Sequence, residues 1–106
     1  MRQVAPYIDR IDTAQEATGI LHIVGNKGGL VNRFYVGSTS LGFISSHLAA
    51  HEGGSHMEKR HENCREILDG ARVGDRGLDV VCQSEHTFWM GDLNYRMDLG
   101  DQYLTN

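Results

Sequence analysis

The sequence of 106 residues has little of what would place it in a specialised class of protein. It contains one proline, Pro6, and two cysteines, Cys64 and Cys82, which lack the C-x-x-C spacing of redox and metal motifs. Two such cysteines are typical of buried thiols in a reducing compartment. No apolar run approaches the length of a transmembrane helix, and the amino terminus lacks the apolar core of a signal peptide. These absences predict a cytosolic or peripheral protein.

An excess of positive charge is also missing. The formal net charge is −4, which argues against a general nucleic-acid binder because such proteins are usually basic. The length suits one small domain and is too short for two. Six histidines are present, but the four-residue spacing of His47 and His51 does not match H-E-x-x-H, so we do not expect a structural zinc site.

A glycine-rich segment holding one cation follows a short apolar run. The run G-I-L-H-I-V at 19–24 predicts a strand, and Gly25-Asn26-Lys27-Gly28-Gly29 comes next. Glycines let backbone amides approach an anion closely, and Lys27 adds a positive charge. A plain hairpin turn with a solvated lysine explains the segment equally well. The GxxxxGK[ST] spacing of a Walker loop is absent.

Two further strands are predicted at 30–36 and 41–46, joined by the turn sequence G-S-T-S. The second of them ends at His47, where a loop opens. A helix follows, beginning at the capping box Ser55-His56-Met57-Glu58 and ending at Gly70 or Gly74. Its predicted buried stripe is Met57, His61, Cys64, Leu68 and Ala71. The next segment, 74–85, is predicted to be a loop anchored by Val80 and Val81.

The segment H-T-F-W-M-G-D-L-N-Y-R at 86–96 predicts a buried strand that ends in a carboxylate and a carboxamide, Asp92 and Asn94. Alternation along an extended chain would point these two side chains the same way and turn Leu93 to the core. An Asx turn that closes the strand explains the pair equally well. If this strand runs parallel beside the one ending at His47, the Asp92 and His47 side chains meet at one rim of the sheet.

Three segments together resemble the signature blocks of the inositol polyphosphate 5-phosphatases. They are G-N-K-G-G at 25–29, S-H-L-A-A-H at 46–51 and F-W-M-G-D-L-N-Y-R at 88–96. The segment 58–67 resembles the family's Arg-containing helix, although His61 follows Arg60 where the family usually has asparagine. H-L-A-A-H is closer to the type II branch. The resemblance runs from about Thr18 to Met97.

The resemblance implies an α/β fold, part of a four-layer α/β sandwich of the DNase I-like superfamily, with a mixed sheet and one clear helix in this stretch. It also implies Mg²⁺-dependent hydrolysis of the 5-phosphate of an inositol phosphate or phosphoinositide. By motif match, Asp92 would activate the attacking water, Asn94 would bind the phosphoryl oxygens and His47 would contact the phosphate. The implied substrate-binding residues are Asn26, Lys27 and Arg60.

Two family motifs, an upstream metal-binding glutamate and a downstream S-D-H-x-P-V block, have no counterpart in the sequence. We therefore expect residues 1–106 to form a single partial domain, inactive alone and with uncovered apolar faces. The metal ligands stay unassigned. The alternatives are a non-catalytic remnant that binds phosphoinositide or protein, and another DNase I-like hydrolase such as a nuclease. We expect a cytoplasmic protein with peripheral contact at membrane surfaces and no nucleic-acid partner.

Overall fold

A computed structural model of the chain describes residues 7–18, 27–50 and 54–95, and these form a mixed four-stranded sheet with helices on one face. The predicted strand at 19–24 and the glycine-turn residue Asn26 lie outside the described residues. The elements are β1 (Ile8–Ala17), β2 (Gly28–Val36), β3 (Thr39–His47), α1 (Gly54–Gly70), α2 (Val80–Gln83) and β4 (His86–Asp92). The expected α/β architecture, with a mixed sheet and one long helix, is confirmed.

The order of the strands in the sheet is β1-β2-β3-β4. β2 and β3 are antiparallel, and pairing of Val36 with Thr39 leaves a two-residue turn at Gly37-Ser38. Gly37 has a φ of 62°, which such tight turns require and which glycine adopts without strain. The predicted hairpin is therefore confirmed. β4 returns through α1 and α2 to lie parallel to β3.

β1 was not predicted, because its sequence I-D-R-I-D-T-A-Q-E-A has no apolar alternation. Most of its residues are exposed, so the strand has no buried face that would require alternating apolar residues. The strand pairs with β2 in antiparallel fashion, with a register shift between Asp9 and Asp12. Arg10 has a φ of 54° inside that irregularity, which is consistent with a β-bulge.

The core lies between one face of the sheet and the helices. Along β3 the even-numbered residues from Ser40 to Ser46 are buried and the odd-numbered ones are not, which marks the covered face. A methyl group on Gly29 would come within 2.8 Å of the Ile67 side chain, so α1 packs directly on the β2 backbone. The buried apolar residues are Val31, Ile44, Leu48, Ile67, Ala71, Val73 and Val80.

The opposite face of the sheet carries a row of aromatic rings that no described element covers. The centroids of Phe34 and Phe43 are 5.5 Å apart, and those of Phe43 and Phe88 are 5.2 Å apart. Phe88 and Met90 are 51% and 43% exposed. The prediction of a buried strand at β4 is therefore wrong for the described chain, where β4 is an edge strand. Within residues 7–18, 27–50 and 54–95, the expected uncovered apolar face is present.

The helix α1 differs from the prediction in its first residue and in its buried face. It begins at Gly54, so Ser55 lies in its first turn instead of capping it. Its buried residues are Arg60, Asn63 and Ile67, whereas Met57 is 42% exposed. The apolar stripe was misplaced because two polar residues occupy the inner face of the helix. None of the helices in the described ranges is long and apolar enough to cross a bilayer.

The segment 74–85 contains one helical turn, α2, where a loop was predicted. The Asp79 carboxylate accepts a hydrogen bond from the Cys82 amide at 3.0 Å and so caps this turn. Val80 is fully buried, as expected of an anchor, but Val81 is 47% exposed. A helical turn places consecutive residues about 100° apart, so only one of the two valines reaches the core.

Candidate functional site

The carboxyl ends of β3 and β4 form the rim at which the candidate residues meet. The parallel register pairs His47 with Asp92. The His47 Nε2 atom lies 3.6 Å from Asp92 Oδ2, and the two side chains are 47% and 63% exposed. The two side chains were expected to meet if the strands were parallel neighbours, and the strands are parallel neighbours. A solvent-accessible imidazole beside a carboxylate can exchange protons with a bound water.

Gly91 allows the two strand ends to approach each other. Its φ is 122°, a conformation that residues with a side chain rarely adopt. A Cβ at this position would lie 2.8 Å from the Ser46 amide nitrogen and closer still to the Ser46 carbonyl oxygen. Only glycine fits between β4 and the β3 backbone here, so the spacing of His47 and Asp92 depends on it.

The backbone beyond His47 is bound to the end of β4. The Leu48 amide donates to the Asp92 carbonyl oxygen at 3.0 Å. The Asn94 side-chain amide donates to the Leu48 carbonyl oxygen at 2.7 Å. These two bonds continue the parallel pairing of the strands by one residue, into the loop that follows the rim.

The chain leaves the extended conformation directly after Asp92. Asn94 has a φ of 55°, and its backbone N–H donates to Asp92 Oδ1 at 3.2 Å, which is the hydrogen bond of an Asx turn. The expectation that the Asp92 and Asn94 side chains point the same way is therefore wrong, although Leu93 does pack against the core. The turn uses Asp92 Oδ1 and leaves Oδ2 directed at His47, so turn and site coexist.

Trp89 connects the rim to the core. It is partly buried against the core cluster, as predicted, and its indole N–H donates to the Ser46 hydroxyl at 2.7 Å. Ser46 is 6% exposed and precedes His47 directly. This bond fixes β3 to β4 one residue before the rim.

A groove of about 790 Å³ runs along the rim and contains the candidate residues His47, Asp92 and Lys27. Its other wall is formed by the end of β1, from Gln15 to Ala17, which was not predicted to belong to the site. The sequence held no signal for this wall, because β1 was not predicted and the pairing of Ala17 with Gly28 is seen only in the structure. A lysine, an imidazole and a carboxylate on one open groove suit a phosphorylated ligand and a water.

Arg60 lies beneath the rim. It is 2% exposed, and its Nη1 atom donates to the Ala49 carbonyl oxygen at 3.2 Å. Its guanidinium carbon lies 5.2 Å from the centroid of the Tyr95 ring. These contacts hold the loop that follows His47. A direct contact of Arg60 with substrate stays a prediction, as does any role of Asn26, which lies outside the described residues.

Cys64 and Tyr95 form a small partly buried pair next to Arg60. Burial raises the pKa of the Cys64 thiol, and a hydrogen bond with the Tyr95 hydroxyl opposes that rise. Burial and the neighbouring Cys64 raise the pKa of the Tyr95 hydroxyl. Both groups are therefore held in their neutral forms at neutral pH. The expectation that Cys64 is buried is met in part, since its exposure is intermediate.

The described residues do not complete a metal site. Among residues 7–18, 27–50 and 54–95, no group of three or more His, Cys, Asp or Glu side chains could hold a metal ion. Mg²⁺ is bound in many phosphate-handling sites by one or two carboxylates together with waters and substrate. Asp92 and Glu16 both line the groove. Two carboxylates on opposite walls do not form a binding set by themselves, so no chemical step is assigned to a metal here.

The chain is similar to known proteins over nearly its whole length. The model of Endonuclease/Exonuclease/phosphatase family 2 matches residues 1–106. Human phosphatidylinositol 3,4,5-trisphosphate 5-phosphatase 2 is 37% identical over 102 residues, and human phosphatidylinositol 3,4,5-trisphosphate 5-phosphatase 1 is 40% identical over 95 residues. These alignments cover 93% and 87% of this chain but only 8% of each relative.

A solved structure is similar as well. It is the inositol polyphosphate 5-phosphatase domain of SPsynaptojanin, in complex with inositol (1,4)-bisphosphate and a calcium ion. The TM-score is 0.77 and the sequence identity 33%, over 98% of this chain and 29% of that one. The four strands and the long helix therefore correspond to less than a third of that chain.

Proposed function

The chain belongs to Endonuclease/Exonuclease/phosphatase family 2 and is homologous to inositol polyphosphate 5-phosphatases, and from this we propose that its groove serves hydrolysis of the 5-phosphate of an inositol phosphate or phosphoinositide. The observation that carries the proposal is the His47–Asp92 pair, 3.6 Å apart, with Lys27 on the same groove. The chain spans a small part of its relatives, so we propose that it supplies one wall of the complete site.

Asp92 is the proposed base. Its Oδ1 atom accepts a hydrogen bond from the backbone N–H of Asn94, which orients the carboxylate. Its Oδ2 atom lies near the exposed His47 imidazole. We infer that Asp92 accepts a proton as the oxygen of a water attacks phosphorus. The bond from phosphorus to the inositol oxygen breaks in the same displacement, and that oxygen takes up a proton from solvent water to leave as the inositol hydroxyl. Phosphoryl transfer needs positioning and charge stabilisation more than covalent chemistry, and this arrangement supplies both.

The remaining groups stabilise negative charge. Lys27 carries a full positive charge, and His47 can donate a hydrogen bond to a phosphoryl oxygen. The Asn94 side-chain amide has two N–H donors, one of which binds the Leu48 carbonyl oxygen. The bond to Leu48 holds the amide in place, and we propose that the second N–H donates to the phosphate.

Mg²⁺ is the proposed cofactor of the complete protein, on the basis of the resemblance in motifs and the cation in the related structure. When bound, such an ion would neutralise phosphate charge. Because the sequence has no counterpart of the family's metal-binding glutamate or of its S-D-H-x-P-V block, we propose that the 106-residue chain alone releases no phosphate. A cytoplasmic location with contact at membrane surfaces is likewise proposed, since the relatives are named for a lipid substrate.

The test separates binding from turnover. In titrations of the chain with inositol (1,4)-bisphosphate followed by NMR, we expect shifts at His47 and Gly91. Lys27→Ala should weaken binding about tenfold, about 1.4 kcal/mol. Lys59→Ala removes the same charge from an exposed position on α1 and is the matched control. Equal weakening by the two variants, or no binding at millimolar ligand, would contradict the proposal.

Turnover is measured as phosphate release from a 5-phosphorylated inositol lipid in the presence of Mg²⁺. We expect none from the chain alone. Robust release that is lost in Asp92→Ala would show that the chain already contains a complete site and would overturn the claim of a partial one. Nicking of plasmid DNA under the same conditions would instead indicate a nuclease, which the net charge of −4 disfavours.

A further inference from the structure

Two buried polar residues on α1 do not line the groove. Arg60 is 2% exposed and Asn63 is 7% exposed, and both lie on the inner face of the helix. Burying a guanidinium or an amide costs free energy unless hydrogen bonds compensate. Their positions three residues apart place them side by side on one helix face, so a shared binding partner is expected.

That partner is the backbone of Ala49, two residues after His47. The Asn63 Oδ1 atom accepts a hydrogen bond from the Ala49 amide at 3.0 Å. The Arg60 Nη1 atom donates to the Ala49 carbonyl oxygen at 3.2 Å. The helix therefore binds both polar groups of a single loop residue, in the way that a neighbouring strand would.

Both backbone polar groups of the preceding residue, Leu48, are also hydrogen bonded, but to residues at and after the end of β4. The Leu48 amide and carbonyl are hydrogen bonded to Asp92 and Asn94. Two consecutive residues of the loop thus have all four backbone polar groups bound, two by the end of β4 and two by α1. The loop after His47 is therefore hydrogen bonded both to the chain around Asp92 and to α1.

Arg60 also contacts the second loop of the site. Its guanidinium lies over the Tyr95 ring, 5.2 Å from the centroid, and Tyr95 directly follows Asn94. The Tyr95 hydroxyl is hydrogen bonded to Cys64 of the same helix. A cation over an aromatic face is attractive, and more so where water is excluded. The helix therefore holds the loop after β3 and the loop after β4 at once.

We propose that Arg60 and Asn63 are positioning residues, which fix His47 relative to Asp92 and Asn94 by binding Ala49 and Tyr95. The benefit of this positioning for catalysis rests on the proposed function. The contacts themselves involve only residues of the chain and do not depend on a substrate. Reacting groups must be held to within a fraction of an ångström, and His47 and Asp92 are both solvent-exposed side chains that no core packing fixes. The precision has to come from the backbone beside them.

The test uses three variants of the full chain. Asn63→Leu keeps the size of the side chain but removes the acceptor, whereas Asn63→Asp keeps an oxygen for the Ala49 amide. Leu68→Ala removes core packing from the same helix and leaves the bonds to Ala49 in place. Amide hydrogen exchange of Leu48 and Ala49 is measured by NMR, together with the nuclear Overhauser contacts between the His47 ring and Asp92.

We expect Asn63→Leu to speed exchange at Ala49 by at least about tenfold beyond the change in global unfolding, and to remove the contacts between His47 and Asp92. Asn63→Asp should restore both. If Asn63→Leu does not fold, Arg60→Lys, which keeps charge but loses the planar guanidinium, should produce the same local changes. Equal effects of Leu68→Ala and the polar variants, or unchanged contacts between His47 and Asp92, would overturn the proposal.

Ligand binding distinguishes this proposal from the proposed function. If the parent chain binds inositol (1,4)-bisphosphate, Asn63→Leu should weaken that binding and Asn63→Asp should not. If the parent binds no inositol phosphate, the proposed function fails, while the exchange and distance measurements still decide whether Asn63 positions His47. Loss of binding in Asn63→Leu with His47 unmoved would count against positioning.

Discussion

Replacing Gly91 with alanine should separate β3 from β4 at the rim of the site. The glycine has a φ of 122°, and an added Cβ would meet the amide and carbonyl of Ser46. Those atoms belong to the backbone of a paired strand, so no rotation of a side chain can make room. The strands must move apart, or β4 must change its conformation at this residue.

Two costs add at this position. A residue with a side chain held in a sparsely populated backbone region costs about 1–3 kcal/mol. Forcing extra volume into a packed contact costs about 1–3 kcal/mol more. The expected loss of about 2–6 kcal/mol is a large part of the 5–15 kcal/mol by which small domains are stable.

Gly37→Ala is the matched control. Gly37 also has a positive φ, 62°, but a Cβ there would meet nothing within 4 Å. It should cost only the left-handed conformation, about 1–2 kcal/mol, partly offset by the lower entropy of the unfolded chain, about 0.4–1 kcal/mol. The difference between the two variants therefore reports the contact with Ser46 together with the additional backbone strain at a φ of 122°.

The assay is urea unfolding followed by tryptophan fluorescence, since Trp89 lies two residues from the substitution. The free energy of unfolding should fall by clearly more for Gly91→Ala than for Gly37→Ala. NMR should show loss of the contacts between His47 and Asp92 in the first variant only. Losses that agree within about 0.5 kcal/mol, the scatter of neutral surface changes, would refute the steric argument.

Two more outcomes are expected. Trp89→Phe and Ser46→Ala each remove the indole hydrogen bond and should lower the free energy of unfolding by about 1 kcal/mol, and the double variant should lose less than the sum of the singles. The raised pKa of Cys64 gives stability that is complete below the ordinary thiol value of 9.0 and is lost as pH rises through the folded value. In a Cys82→Ala background, Cys64→Ala should therefore flatten the alkaline decline seen by urea unfolding. Tyr95, shifted in the same direction, keeps a later decline. An unchanged slope would contradict the Cys64 assignment.

The ends of β3 and β4 could be predicted because their signals are local, whereas the parallel pairing of the two strands was only a condition. Branched and aromatic residues on either side of the turn sequence G-S-T-S define the hairpin, and His47 and Asp92 each stand where an apolar run ends. Parallel neighbours align their carboxyl ends, so the two side chains meet if the strands are adjacent and run in the same direction, and both conditions hold in the structure. Gly91 belongs to the same pattern, since a glycine within a strand marks a close approach of backbone.

The inner face of α1 could not be predicted, because hydrophobic periodicity assumes that buried residues are apolar. Arg60 and Asn63 are buried since they bind Ala49, which is remote in sequence and carries no signal of its own. The direction of Asn94 was missed for a similar reason. Its left-handed φ follows from a bond to Asp92, whose carboxylate serves a turn and the rim at once. Prediction rules that consider one interaction for each side chain miss polar groups that interact with two partners.

The aromatic face and the candidate site are parts of one surface. Side chains alternate along a strand, so His47 lies on the same face as Phe43, and Asp92 on the same face as Phe88. The helices cover only the other face of the sheet. A layer packed on the stacked rings would therefore also border the His47–Asp92 pair and exclude water from it. Charges attract more strongly where water is excluded. A layer packed on the aromatic rings would therefore stabilise the sheet and also strengthen the binding of a phosphate at the rim.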